Sequence, residues 1–306
     1  MPDLSVGTWV ERVVDFLLEY FSPLFDLVAT VLLFLVRVVY WVLIQPHPLL
    51  MTAVLTVAAW LAIRRWRRVT ALALALLVVG WMDLWTATMQ TLAVVVVASV
   101  VAIFIGVPVG VWAGRSNRVQ ALARPLLDFM QTLPVFVYLL PAIFFFGIGV
   151  VPGVVATTVF AIPPAVRLTS LGIRQVDAEV IEAAVAFGSR PGQILREVQL
   201  PLALPSIMAG VNQVIMLALS MVVIAGMVGG GGLGELVVQS VTQLDIGSGF
   251  ESGLAVVVLA IYLDRVTAAL GERQVLSARR PRRRRPTTPD PRDSETERPE
   301  LESAAA

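Results

Sequence analysis

The chain has 306 residues, 57% hydrophobic and 15% charged, with a formal net charge of +1. Soluble domains carry about 25% charged residues, so this balance excludes an ordinary water-soluble protein and implies several membrane spans. There is no cysteine, no lysine and one histidine, which excludes disulfides, thiolate–metal sites and a Walker-type phosphate loop ending in Gly-Lys-Ser/Thr.

In chain order, residues 8–25 mix Glu11, Arg12, Asp15 and Glu19 with Trp9, Val13, Phe16, Leu17 and Tyr20. That pattern suits a helix lying in the membrane interface, or a polar extension of the first span. The acidic, amphipathic start with Pro2 and Asp3 does not read as a cleaved signal peptide. A first span covers 27–44, interrupted by Arg37, which snorkels or faces the bundle. His47 lies between two prolines and reads as a loop residue, not a metal ligand. A second span covers 49–63. Arg64, Arg65, Arg67 and Arg68 then surround Trp66. A basic run between two apolar segments is a cytoplasmic anchor by the positive-inside rule, in preference to a nucleic-acid site.

The remaining spans are expected at 69–82, 88–113, 126–149, 151–168, 205–228 and 253–270. The connection 115–124 carries three arginines. Counting crossings places it, the segment after 168 and both termini on the same, inner side. The fold class is therefore all-α: a polytopic protein of the cell (inner) membrane with about eight transmembrane helices. Its expected organisation is an interfacial segment over 1–26, three accessory helices over 27–85, a core over 86–276 and a tail over 277–306. The tail is rich in Pro, Arg and Glu and reads as disordered. Its six arginines between 279 and 285 either hold anionic lipid or are simply solvated.

The longest polar stretch between apolar spans is 177–201. Asp177 is placed to N-cap a short helix with Glu179 in its first turn. Val180, Ile181, Ala184 and Val185 form its apolar stripe, and Ala183 and Ala184 are small enough to let another backbone approach. Gly188 follows the last periodic residue, where a left-handed C-cap needs no Cβ. Ser189 is expected to cap a second helix with Pro191 in its first turn. Leu200-Pro201 is expected to end that helix and return the chain to the membrane. The whole reads as an elbow at the membrane surface.

Inside the core, Met130-Gln131-Thr132-Leu133-Pro134 interrupts an apolar run, Pro141, Pro163 and Pro164 break others, and Asn212, Gln213 and Ser220 add polar groups. Irregular or polar backbone at membrane depth needs cover from protein or a water-lined cavity. Met130, Gln131, Thr132, Pro134, Phe136, Tyr138, Asn212 and Ser220 are therefore candidates for a solute pathway, with helix–helix packing the plainer role for each alone. Phe129, Phe136, Tyr138 and Phe144 to Phe146 offer faces for a quaternary ammonium, though packing accounts for such rings equally well. Gly229 to Gly234 spells Gly-x-Gly-x-x-Gly, but an apolar span precedes it and no βαβ unit surrounds it. It reads as a flexible outer loop, not a dinucleotide site. Glu235, Asp245 and Glu251 fall in the same outer region, solvated or facing a docking protein.

The elbow resembles the EAA loop of ABC importer permeases, EAA-x3-G-x9-I-x-L-P. Glu182, Ala183, Ala184, Gly188, Leu200 and Pro201 match it, and Val198 replaces the Ile. The likeness runs from Met89 to Thr267 and is nearest to the glycine betaine/proline permeases. LDFMQTLPVFVYLLPAIFFFGIG, VPGVVATTVFAIPPAVRLTSLGIRQV and LPLALPSIMAGVNQVIMLALSMVVIAGMVGGGGLGE carry most of it. It implies a type I permease core working as two copies, with an extracellular or periplasmic solute-binding protein and a separate ATPase. ATP and Mg would be bound by that ATPase, leaving this chain with no cofactor and no catalysis. Glu182, Ala183, Ala184, Gly188, Arg190, Leu200 and Pro201 would be the coupling surface. An ion-coupled secondary transporter is the alternative, and it would need carboxylates at membrane depth. An intramembrane enzyme lacks a metal or nucleophile set.

Overall fold

The computed structural model describes residues 6–278, and no strand occurs among them. Helix α1 (Val6–Ile44) is followed by a hairpin of α2 (Pro48–Ile63) and α3 (Trp66–Trp81). The core then comprises α4 (Trp85–Arg115), α5 (Asn117–Thr132), α6 (Phe136–Phe146) and α7 (Val150–Arg174). The elbow contains α8 (Ala178–Ala186), α9 (Pro191–Gln193) and a π-helical segment, Ile194–Gln199. Helices α10 (Leu200–Ser220), α11 (Val222–Gly226), α12 (Gly232–Gln243) and α13 (Ile246–Ala278) complete the described residues.

Among the described residues, five helical stretches are long and apolar enough to cross a membrane, and the pair α5–α6, bent by 93°, makes up to six. The expectation of about eight was slightly loose because α2 and α3 have only 16 residues each. At 1.5 Å per residue each reaches about 24 Å, short of a hydrocarbon core of about 30 Å. The hairpin is nonetheless docked. Met51, Leu72 and Leu76 share a buried cluster with Trp85, Met89 and Leu259. The Tyr262 hydroxyl donates to the Leu55 carbonyl at 2.9 Å.

The centre of the bundle is the contact of α4 with α7, built on small residues at four-residue spacing. A Cβ added at Gly106 would lie 2.6 Å from Ala165 Cβ, and one at Gly110 would lie 2.6 Å from Thr169 Cβ. Gly114 meets Ile173 in the same series. In lipid, where solvent does not drive helices together, such close backbone approach is the main source of attraction. Because both partners advance together, α4 and α7 run parallel. Helix α10 runs antiparallel to α7, with Gly172 against Ser206 and Gly210 against Leu168. Helix α13 returns antiparallel to α10, with Gly271 against Met208. Arg68 of α3 shares a cleft with Arg265 of α13. These directions gather Arg68, Arg115, Arg174 and the elbow at one end of the bundle.

Several boundaries differ from the sequence reading, each for a physical reason. The amphipathic segment and first span are one helix, α1, continuing through Pro23 and Asp26, with Arg37 exposed on its surface. The arginine-bearing connection after α4 is helical from Asn117, leaving Ser116 as the joint and N-cap. The expected span over 126–149 breaks at Leu133–Val135, where Pro134 has no N–H to continue α5. Conversely, α6 passes through Pro141, and α7 passes through Pro163 and Pro164, both buried against neighbouring helices. Ser277 and Ala278, assigned to the tail, end α13. The arginines at 279–285 and the rest of the tail lie outside the described residues.

Candidate coupling elbow and membrane pathway

The root of the elbow is fixed to the core. Arg174, the last residue of α7, donates to Asn117 Oδ1 at 2.7 Å and to the Ala113 carbonyl at 2.9 Å. Three residues later Asp177 caps α8 by accepting from the Glu179 N–H at 3.0 Å. After α8, Gly188 has φ +78°, with the Ser189 N–H donating to the Ala184 carbonyl at 3.1 Å. This is the left-handed C-cap that the glycine implied.

The second arm departs from the sequence reading. Its N-cap is Arg190, not Ser189: the Arg190 N–H donates to Gln193 Oε1 at 2.9 Å, with Pro191 as the first helical residue. Nor does Leu200-Pro201 end a helix. The chain widens into π-helical geometry over Ile194–Gln199, the Leu200 N–H donating to the Leu195 carbonyl, and runs on through Pro201 as α10. Pro201 supplies no N–H to the preceding turn. The wider π register accommodates that gap without breaking the helix.

No residue of α8 is buried, and Glu182, Ala183 and Gly188 are exposed while Ala184 is half-buried. Phe187 is 91% exposed, with Val180 and Val185 also outward. Arg190 and Pro201 are exposed, and Leu200 is half-buried. The elbow thus presents apolar side chains and small residues beside the Glu182 carboxylate.

The candidate pathway residues fall on two parts of the chain, the α5–α6 bend and α10. Gln131, Thr132, Pro134 and Phe136 lie exposed around the α5–α6 bend, with Met130 half-buried. The Tyr138 hydroxyl donates to the Met130 carbonyl, so this residue staples the bend. On α10, the Asn212 amide donates to Asp264 at 3.3 Å and its carbonyl accepts from Thr267 at 2.6 Å, tying α10 to α13. Ser220 donates to the Met216 carbonyl one turn back. Phe145 stacks on Phe25 at 4.6 Å and Phe146 meets the same ring edge-on at 5.7 Å, so these two rings hold α1. Phe129 and Phe144 are exposed. Asp264 falls inside the span expected over 253–270, and sequence reasoning did not single it out.

The glycine-rich segment is a tight turn, not a flexible loop. A Cβ at Gly231 would collide with the Gln90 side chain, and one at Gly232 with Thr91. The buried Leu233 N–H donates to Thr91 Oγ1 at 2.8 Å. Helix α12 follows at once and packs on α4, α11 and α13, placing Glu235 in its first turn. Glu251 belongs to α13. Asp245 lies between these helices and accepts from the Ser248 hydroxyl at 2.7 Å and from its N–H at 3.2 Å. Those hydrogen bonds hold its carboxyl below the usual carboxylate range. His47 caps α2 through Nδ1, and no cluster able to hold a metal occurs among the described residues.

A bundle of long apolar helices around a closely packed core, with one polar elbow projecting from its arginine-rich end, defines a multi-pass membrane permease. The model of the family described as binding-protein-dependent transport system inner membrane component matches residues 106–275, and the chain belongs to that family. It is 45% identical over 276 residues to the glycine betaine/carnitine transport permease protein GbuB of Listeria monocytogenes, covering 89% of this chain and 98% of that one. It is 47% identical to the glycine betaine transport system permease protein OpuAB of Bacillus subtilis, covering 87% and 94%. The glycine betaine/proline betaine permease ProW of Escherichia coli is 45% identical, with coverage of 88% and 75%. Among solved structures, the inward-facing MetNI methionine ABC transporter matches with a TM-score of 0.55 and 28% identity, covering 64% of this chain and 96% of that chain.

Proposed function

We propose that this chain is the membrane subunit of an ATP-driven importer of small zwitterionic osmolytes of the glycine betaine and proline betaine type. Two copies form the pathway across the inner membrane, and a solute-binding protein delivers the osmolyte. The arginine-rich end of the bundle faces the cytoplasm, where a separate ATPase subunit receives the elbow. Glu182, Ala183, Ala184, Gly188 and Arg190 form the contact. The π-helical segment leading through Leu200 and Pro201 carries its displacement into α10. The osmolyte class rests on the glycine betaine and proline betaine permeases among the relatives. The observation that carries the coupling is the elbow itself: a capped, well-formed helix with no buried residue, rooted through Arg174 on the core.

No Walker-type lysine exists in the chain, so fuel is consumed elsewhere. Transport proceeds as the ATPase pair closes on ATP and draws the two elbows together, tilting α7 and α10 against α4. The polar groups about the α5–α6 bend, Gln131 and Thr132 foremost, then line the path with Met130, Pro134 and Phe136. Proteoliposomes containing the chain, its ATPase and its binding protein should accumulate glycine betaine only with internal ATP. Uptake driven by an ion gradient with no ATPase present would replace this reading with a secondary transporter, for which Asp264 would be the coupling carboxylate.

A further inference from the structure

At the root of the elbow lies a cleft of about 350 Å³ between α4, α5 and α7. A water molecule's share of the liquid is about 30 Å³, so the cleft has room for a polyatomic group. Arg124, Arg167 and Arg174 line it with Gln120, Asp128 and Ser170. Asp128 holds Arg167 at 2.5 Å, while Asn117 and the Ala113 carbonyl hold Arg174, so both guanidinium groups have partners that orient them at the cleft. The Arg124 side chain makes no hydrogen bond or ion pair among the described residues. Three guanidinium groups stand against one carboxylate, leaving the cleft electropositive.

The second observation is Ser170. Ser170 is a lining residue of the cleft yet only 6% exposed, and its buried hydroxyl finds no hydrogen-bond partner. A buried hydroxyl without a partner is costly, and an acceptor oxygen in the cleft would satisfy it. Oriented guanidinium groups and an idle hydroxyl together match the several acceptor oxygens of a phosphate. Leu171, also lining the cleft, is exposed and offers apolar surface beside it.

We propose that this cleft is a binding site for a phosphate-bearing anion, clamped between α5 and α7 at the base of the coupling elbow. The phosphate is that of an anionic lipid headgroup or a free phosphate ion. Bound there, it bridges Arg124 to the last turn of α7, three residues before the cap of α8.

The test uses the full chain purified in detergent as wild type, Arg124→Gln, Ser170→Ala and, as a control on general surface charge, Arg118→Gln. Native mass spectrometry counts phosphatidylglycerol and phosphatidylcholine retained by each. A parallel thermal-shift series adds inorganic phosphate without lipid. Wild type and Arg118→Gln should retain one phosphatidylglycerol whose occupancy falls about tenfold in Arg124→Gln, with a smaller fall in Ser170→Ala. Phosphatidylcholine should not distinguish them. If instead inorganic phosphate stabilises wild type but neither cleft variant, the free ion is the ligand and the site stands. Equal behaviour of wild type and both cleft variants toward both probes overturns the proposal, as does the absence of any binding. Should Arg124→Gln fail to fold, Ser170→Ala, which removes one oxygen and no charge, decides alone.

Discussion

Replacing Gly110 by alanine tests whether close approach of α4 and α7 holds the core together. The new Cβ would lie 2.6 Å from Thr169 Cβ and 2.8 Å from the Val166 carbonyl oxygen. Carbon atoms in contact prefer about 3.5–4.0 Å, so the two helices must part by roughly 1 Å. The carbonyl is backbone and cannot rotate away. Overpacking of this kind costs about 1–3 kcal/mol, against about 0.5–1 kcal/mol returned by replacing a helical glycine. The net effect is destabilising, and larger when neighbouring contacts at Gly106 and Gly114 are lost as well. Gly253→Ala in α13 is the matched control, because nothing lies within 4 Å of its Cβ. Thermal unfolding in detergent, followed by circular dichroism at one scan rate, should show Gly110→Ala melting below wild type and Gly253→Ala at or above it. Gly110→Ala melting with or above Gly253→Ala would show that close approach of α4 and α7 does not hold the core.

Three further outcomes are expected. Thr91→Val leaves the buried Leu233 N–H without its acceptor and should cost about 1–3 kcal/mol, while Thr91→Ser restores it; hydrogen exchange at Leu233 reads both. Because Asp245 has a lowered folded pKa, its stabilising contribution is complete above the ordinary carboxylate value of about 3.9 and disappears as pH falls through the folded value. An acid titration of wild type against Asp245→Asn should therefore show the difference shrinking toward low pH. Tyr138→Phe removes the bond to the Met130 carbonyl and should loosen the α5–α6 bend, read as a changed distance between spin labels at residues 122 and 144.

Features written in local chemistry were legible in the sequence. Asp177 and Gly188 fix the ends of α8 through their own neighbours, so the first arm of the elbow could be placed from residue types alone. The arginine clusters implied a common end for several helices, and the parallel run of α4 and α7 gathers Arg115 and Arg174 at one end. What depended on distant partners was not legible. Asn212 meets Asp264 and Thr267 across 52 and 55 residues of sequence, and no periodicity announces that pairing. The glycines near 230 signal a loop locally, yet their lack of side chains serves close contact with Gln90 and Thr91. Prolines misled in both directions. Pro134 breaks its helix, whereas Pro201 is carried through by a π-helical register that no residue type encodes.

The elbow is proposed to be the handle that a separate ATPase holds. The chain has no cysteine, so one introduced by Phe187→Cys is unique and sits where the exposure is 91%. Photo-cross-linking from that position in membranes that also contain the ATPase should yield one adduct with the ATPase, changing in efficiency when ATP is bound. Labelling of the same thiol only from the outer face, or cross-linking that never captures the ATPase while betaine uptake persists, would contradict the account.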